Sequence, residues 1–129
     1  DFYTMFRDNL KFFIGRDMVV PIQGRSDDQE ILNKFKDQEI DYIMVDGAHE
    51  YDPVKDDIVN WWPKLKPNGV MFGDDYNLKS VELAVKEGLA ACGHRSYGVN
   101  KGFEQTWYCS KDEENQQYEK QIPGVNTLI

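Results

Sequence analysis

Cysteine is scarce: Cys92 and Cys109 are the only two in a chain of 129 residues. Two thiols lacking metal-ligand spacing make neither a disulfide framework nor a metal knot, so both are read as buried, reduced side chains of a cytoplasmic protein. Long apolar runs are also missing. None approaches the ~20 residues that a bilayer span needs, and no charged start followed by a greasy stretch marks a signal peptide, so no membrane partner is expected. Basic runs are absent as well. With 15 Lys and Arg against 23 Asp and Glu, the formal charge is −8 and the isoelectric point about 4.7. Phosphate binding needs a positive field, so a nucleic-acid partner is excluded and a small or neutral one is expected. What is present is a globular composition, 40% hydrophobic and 13% aromatic, with room for one core but not two.

The apolar residues then give the element order. Phe2, Phe6, Leu10 and Phe13 recur at helical spacing and Gly15 follows as a stop, which predicts a helix over 2–14. The chain starts at Asp1 directly inside this pattern, and a preceding segment is expected. Met18 to Ile22 reads as a short strand, and Ser26 with Gln29 as a capping box opening a helix through Ile31, Leu32 and Phe35. Ile40 to Val45 is almost continuously apolar, as in a parallel strand buried on both faces.

Asp52-Pro53 then reads as the start of a helix with Val54, Ile58, Trp61 and Leu65 on its buried stripe, broken near Trp62 by Pro63. Asn68-Gly69 signals a turn before a second buried strand over Val70 to Gly73, and Ser80 caps a helix ending near Gly93. Two further strands, around Arg95 to Val99 and Gln105 to Cys109, read as an antiparallel pair joined through Asn100-Lys101-Gly102. The polar tail from Lys111 is assigned no structure, and its charge run is read as solvated. Alternating strands and helices predict an α/β domain over 1–110 with a mainly parallel sheet, followed by a tail over 111–129.

In an open parallel sheet the ligand site lies beyond the carboxyl ends of the strands. Asp46 ends one predicted central strand, and Asp74 with Asp75 ends the next. If those strands are neighbours about 4.8 Å apart, three carboxylates share one small volume and call for protons or a cation. Oxygen ligands suit Mg²⁺ or another divalent cation, which would activate and hold a substrate hydroxyl. The plainer reading is that these aspartates initiate turns. His49, on the loop over the same strand ends, is the candidate general base, against the alternative of a solvated loop histidine. Tyr51 and Tyr76 flank the acids as substrate-lining candidates, while Trp61 belongs to the core.

The stretch from Ile40 to Tyr76, carrying D-G-A-H at 46–49 and D-D-Y at 74–76, resembles class I S-adenosylmethionine (SAM)-dependent methyltransferases. Within them it looks most like the small-molecule and sugar O-methyltransferase branch. The resemblance implies a Rossmann-like sheet and methyl transfer from SAM to a hydroxyl of a small molecule or sugar. It places Gly24, Arg25 and Ser26 at the turn bordering the adenine and Asp46 among the cofactor-binding residues. It also makes Asp46, Asp74 and Asp75 ligands of a divalent metal and sets His49 beside the reacting hydroxyl. Such enzymes hold SAM through a glycine-rich loop after their first strand, and no G-x-G occurs in this chain. In the strand order 3-2-1-4-5-7-6 of that fold, Met18 to Ile22 would be third and Ile40 to Val45 fourth. The first two strands are therefore expected to be absent, and the sheet incomplete. Two other readings stay open: a noncatalytic interaction domain whose partner could be its own copy in a homo-oligomer, and a metal-dependent hydrolase using the same acids.

Overall fold

Side-chain periodicity sets the elements in a computed structural model, which describes residues 1–102, 105–111 and the backbone of 125–128. Helix α1 spans Phe2–Ile14 and is capped by the Asp1 side chain, which accepts from the Thr4 backbone N–H at 2.8 Å. It buries none of its side chains, and Phe2, Met5 and Phe12 lie on its surface. Residues 19–24 contain no strand; Met18, Val20 and Ile22 are exposed there. The strand expected at Met18 to Ile22 is thus absent, because among the described residues no neighbouring strand pairs with this segment. Helix α2 is one short turn, Gln29–Leu32, capped by Asp28 rather than Ser26, whose hydroxyl is used elsewhere.

Strand β1, Ile40–Val45, has the expected bounds. Its burial alternates instead of being two-sided: Ile43 and Val45 are buried, Tyr42 and Met44 only partly. Helix α3, Tyr51–Trp61, begins a residue before Asp52, and Pro63 follows its end in a single 3₁₀ turn over Trp62–Lys64. Proline lacks the N–H that would continue the helix. Strand β2, Leu65–Gly73, is longer than expected because it absorbs the predicted turn as a bulge. Ile40 faces Leu65 while Tyr42 faces Val70, and Asn68 within the extra residues is left-handed at φ 66°. Helix α4, Lys79–Ala91, packs against α3, where the close approach is set by Gly88: a Cβ there would meet Ile58 at 3.2 Å. The Schellman-like exit uses Gly93 at φ +87°.

Strands β3, Gly98–Asn100, and β4, Thr106–Ser110, form the expected antiparallel pair. Strand β5, Val125–Leu128, lies in the tail that the sequence left without structure. Its backbone pairs parallel to β1, a long-range partnership that no local signal announces. The sheet order is β3-β4-β2-β1-β5, parallel at β2-β1-β5 and antiparallel at β3-β4-β2. This is the expected α/β class, with an open, Rossmann-like and incomplete sheet. Ile43, Ile58, Leu65, Met71, Val85, Leu89 and Trp107 form its core, each 0–1% exposed.

Lys111 also departs from the solvated role expected of it. Its ammonium donates to the backbone oxygens of Trp62 at 3.0 Å and Leu65 at 2.6 Å, and its burial pushes its pKa down. This ties the end of β4 to the start of β2, at the edge opposite the predicted site. Among the described residues no helix is long and apolar enough to cross a membrane.

Candidate active site

Because β1 and β2 are parallel neighbours with Val45 opposite Gly73, Asp46 and Asp74 leave the sheet side by side. The loop after β1 carries His49, and the Ser80 hydroxyl donates to the His49 backbone oxygen at 2.6 Å. Ser80 was expected as a helix cap; in the fold it tethers this loop to the first turn of α4. Asp75 has a left-handed backbone at φ 63°, a conformation that aspartate tolerates better than most residues. It turns the carboxylate to His49, whose Nε2 lies 2.9 Å from Asp75 Oδ2. The side chains are 60% and 40% exposed, so a ligand can reach both.

The other acids go elsewhere. Asp74 Oδ1 accepts from the Thr106 hydroxyl at 3.2 Å. Asp46 is exposed and, among the described residues, its side chain has no hydrogen-bond or ion-pair partner. No group of three or more His, Cys, Asp or Glu among the described residues is arranged to hold a metal ion. The expected ligand trio Asp46, Asp74 and Asp75 therefore does not form. Adjacent carboxylates repel, and two of the three are engaged by other groups, Asp74 by Thr106 and Asp75 by His49.

Tyr76 does stand at the rim. Its backbone N–H donates to the Gln105 oxygen at 3.0 Å, and its hydroxyl lies 2.7 Å from that of Tyr97. The two rings meet edge to face at 6.0 Å, and burial and Tyr76 together push the Tyr97 hydroxyl pKa up. Tyr97 and Thr106 were missed by sequence reasoning. Both sit at or beside the antiparallel strands and reach the site only through tertiary pairing, so no local signal identifies them. Tyr51 faces another way: its hydroxyl donates to Glu87 at 3.0 Å and accepts from Lys55 at 3.2 Å.

The turn expected at the adenine is bound to helices instead. Ser26 donates its hydroxyl proton to Asp57 at 2.5 Å, while its backbone oxygen accepts from Trp61 Nε1 at 2.9 Å. Arg25 is paired with Asp27 at 2.9 Å. A Cβ on Gly24 would lie 2.9 Å from Ile31, so the glycine lets the turn sit down on α2. Asp57 is 6 residues along α3 from its start, about 9 Å below the rim.

Asp57 is 4% exposed and its carboxyl pKa is raised, chiefly by burial, with the Ser26 hydrogen bond opposing. A carboxyl with a raised folded-state pKa stabilises the fold while protonated, and that stability is lost as pH rises through the folded value. Asp57→Asn keeps an acceptor for Ser26 without the charge. It is therefore expected to match or exceed the parent at neutral pH, by about 1 kcal/mol at most. The gain the parent makes as pH falls from neutral toward about 4 should disappear in the variant. Urea unfolding of both proteins across that range checks this, and a variant clearly weaker at pH 7 would contradict it.

Comparisons with known proteins bear on this geometry. An uncharacterized protein of Sinorhizobium fredii, y4gI, is 40% identical over 56 residues, which are 43% of this chain. The match spans only 6% of that curated relative's length. The crystal structure of an M1.HpyAVI–SAM complex superposes with a TM-score of 0.45 at 14% identity, over 84% of this chain and 63% of its own. A family model described as a methyltransferase domain matches residues 5–76, which run from the first helix to the end of the D-D-Y motif. The chain accordingly belongs to the methyltransferase-domain family, and the rim holding Asp46, His49, Asp75 and Tyr76 lies inside the matched segment.

Proposed function

We propose that the chain takes part in SAM-dependent methyl transfer to a hydroxyl oxygen of a small molecule or sugar, with His49 as the general base. The observation carrying this reading is His49 held open to solvent at the carboxyl ends of two parallel strands, within the segment that the family model matches. When bound, SAM supplies an electrophilic methyl group on a sulfonium. His49 would take the hydroxyl proton as the acceptor oxygen gains that methyl group and S-adenosylhomocysteine is released.

The residues present fit the cofactor unevenly. Asp46 offers an exposed, unengaged carboxylate beyond β1, suited to hold hydroxyl groups of a ribose. Ser26 is unsuited, since its hydroxyl and carbonyl oxygen are both bonded to α3. Tyr76, with its hydroxyl on the same rim, is placed to line the acceptor. The Asp74 and Asp75 carboxylates are engaged here by Thr106 and His49.

The test is release of S-adenosylhomocysteine from SAM in the presence of phenol, catechol, sugar and hydroxy-acid acceptors. Hydroxyl-dependent release supports the reading. Release that is absent with every acceptor, while SAM binding is measurable by calorimetry, defeats it. A noncatalytic role in partner recruitment would then be favoured by the exposed face of α1.

A further inference from the structure

The pairing at the rim goes further than placing a base. We infer that Asp75 is a positioning residue for His49, occupying the role that a metal-ligating carboxylate would otherwise have, so that proton transfer at this rim needs no divalent ion. The inference rests on the proposed methyl-transfer reading for its purpose, but not for its test.

Three observations carry it. First, the Asp75 carboxylate is directed at His49 Nε2 at 2.9 Å rather than at Asp46 or Asp74. Second, the backbone at Asp75, two residues past the end of β2 at Gly73, is left-handed and turns the chain at the position whose carboxylate meets His49. Third, no three-member ligand group is found among the described residues, and Asp74 accepts from the Thr106 hydroxyl. A carboxylate can act only as an acceptor, so facing Nε2 it selects the tautomer with the proton on Nε2 and the lone pair on Nδ1. Nδ1 is then the basic atom that meets a substrate hydroxyl. The Ser80 hydroxyl bond to the His49 backbone oxygen ties the loop to α4, and the Asp75 carboxylate engages the ring at Nε2. Carboxylate–imidazole pairs at partly exposed positions contribute little to stability, so the pair is an orienting device rather than a fold determinant.

The experiment uses the whole chain, ¹⁵N-labelled, at about pH 8, where the two-bond ring spectrum of a neutral imidazole distinguishes its tautomers. The parent should show His49 mainly as the Nε2–H form, with His94 as the internal reference. Asp75→Gly removes the carboxylate without straining the left-handed backbone, and should abolish that preference while the amide spectrum keeps its dispersion. In parallel, MnCl₂ is added to about 1 mM, a level at which even weak oxygen-ligand sites fill. The expected result is no saturable broadening selective for the amides of Asp46, His49, Asp74 and Asp75 over those of the other acidic residues. Selective, saturable broadening there would overturn the inference, and so would a His49 tautomer unchanged in Asp75→Gly. Neither readout involves methyl transfer. A protein that fails the transfer assay with its Nε2–H tautomer intact would refute the proposed function alone, and one that transfers methyl while binding Mn²⁺ would refute this inference alone.

Discussion

Replacing His49 by alanine lowers methyl transfer to a hydroxyl acceptor by about 10²–10⁴-fold, the span that a positioned general base typically contributes. The effect should fall on kcat, because the imidazole acts on a proton that moves only as the oxygen attacks. SAM affinity should change little, since the cofactor-facing carboxylate assigned above is Asp46. His49→Gln should be as inactive as alanine: glutamine fills similar space and can bond to Asp75, but it offers no basic nitrogen. Initial rates of S-adenosylhomocysteine release at saturating and subsaturating acceptor separate these terms. A loss of less than about threefold in kcat/KM would remove His49 from the chemistry.

The largest expected loss of stability comes from a residue with no side chain. Gly73 is the last residue of β2, paired with Val45 of β1 and facing Trp107 of β4. A Cβ at position 73 would lie 2.5 Å from the Val45 backbone oxygen and 2.8 Å from Trp107 Nε1. Neither neighbour can yield easily. The first is backbone in the central parallel pair, and the second belongs to a tryptophan that is 1% exposed. Gly73→Ala is therefore expected to cost about 3 kcal/mol or more, the upper end of overpacking in a filled core. Urea denaturation read by tryptophan fluorescence measures it, and a cost under about 1 kcal/mol would show that β1 and β2 part more readily than their packing implies. Since Gly73 directly precedes Asp74 and Asp75, any relief by backbone shift moves the rim. Even a folded variant should then lose the His49–Asp75 pair.

Elements built from strong local periodicity were legible before the fold was known. Helix α1 over the stripe of Phe2, Phe6, Leu10 and Phe13 and strand β1 over the run Ile40 to Val45 occur where the residues put them, whereas Asn68-Gly69 became a bulge within β2 rather than a turn before it. Met18 to Ile22 failed because β propensity measures fitness for a paired, half-buried surface, and among the described residues no strand pairs with that segment. Strand β5 failed in the opposite sense: a polar stretch became a strand because β1 offered an open edge. Ser26 and Ser80 were both read as helix caps, a local role, whereas each bonds across a long sequence separation, to Asp57 and to the His49 backbone.

The candidate site divides along the same line. Sequence alone put Asp46, His49, Asp74, Asp75 and Tyr76 at or just past the ends of two strands, because strand termini are local properties of the chain; that the two strands are parallel neighbours was a condition that the fold met. It could not say where the carboxylates point, since that depends on the left-handed turn at Asp75 and on the Thr106 hydroxyl arriving from β4. An acidic cluster in a sequence is equally compatible with a cation, shared protons or separate partners. Only the packed arrangement chose separate partners for two of them, because the tertiary fold brings the Thr106 hydroxyl to Asp74 and the His49 ring to Asp75 and leaves Asp46 exposed.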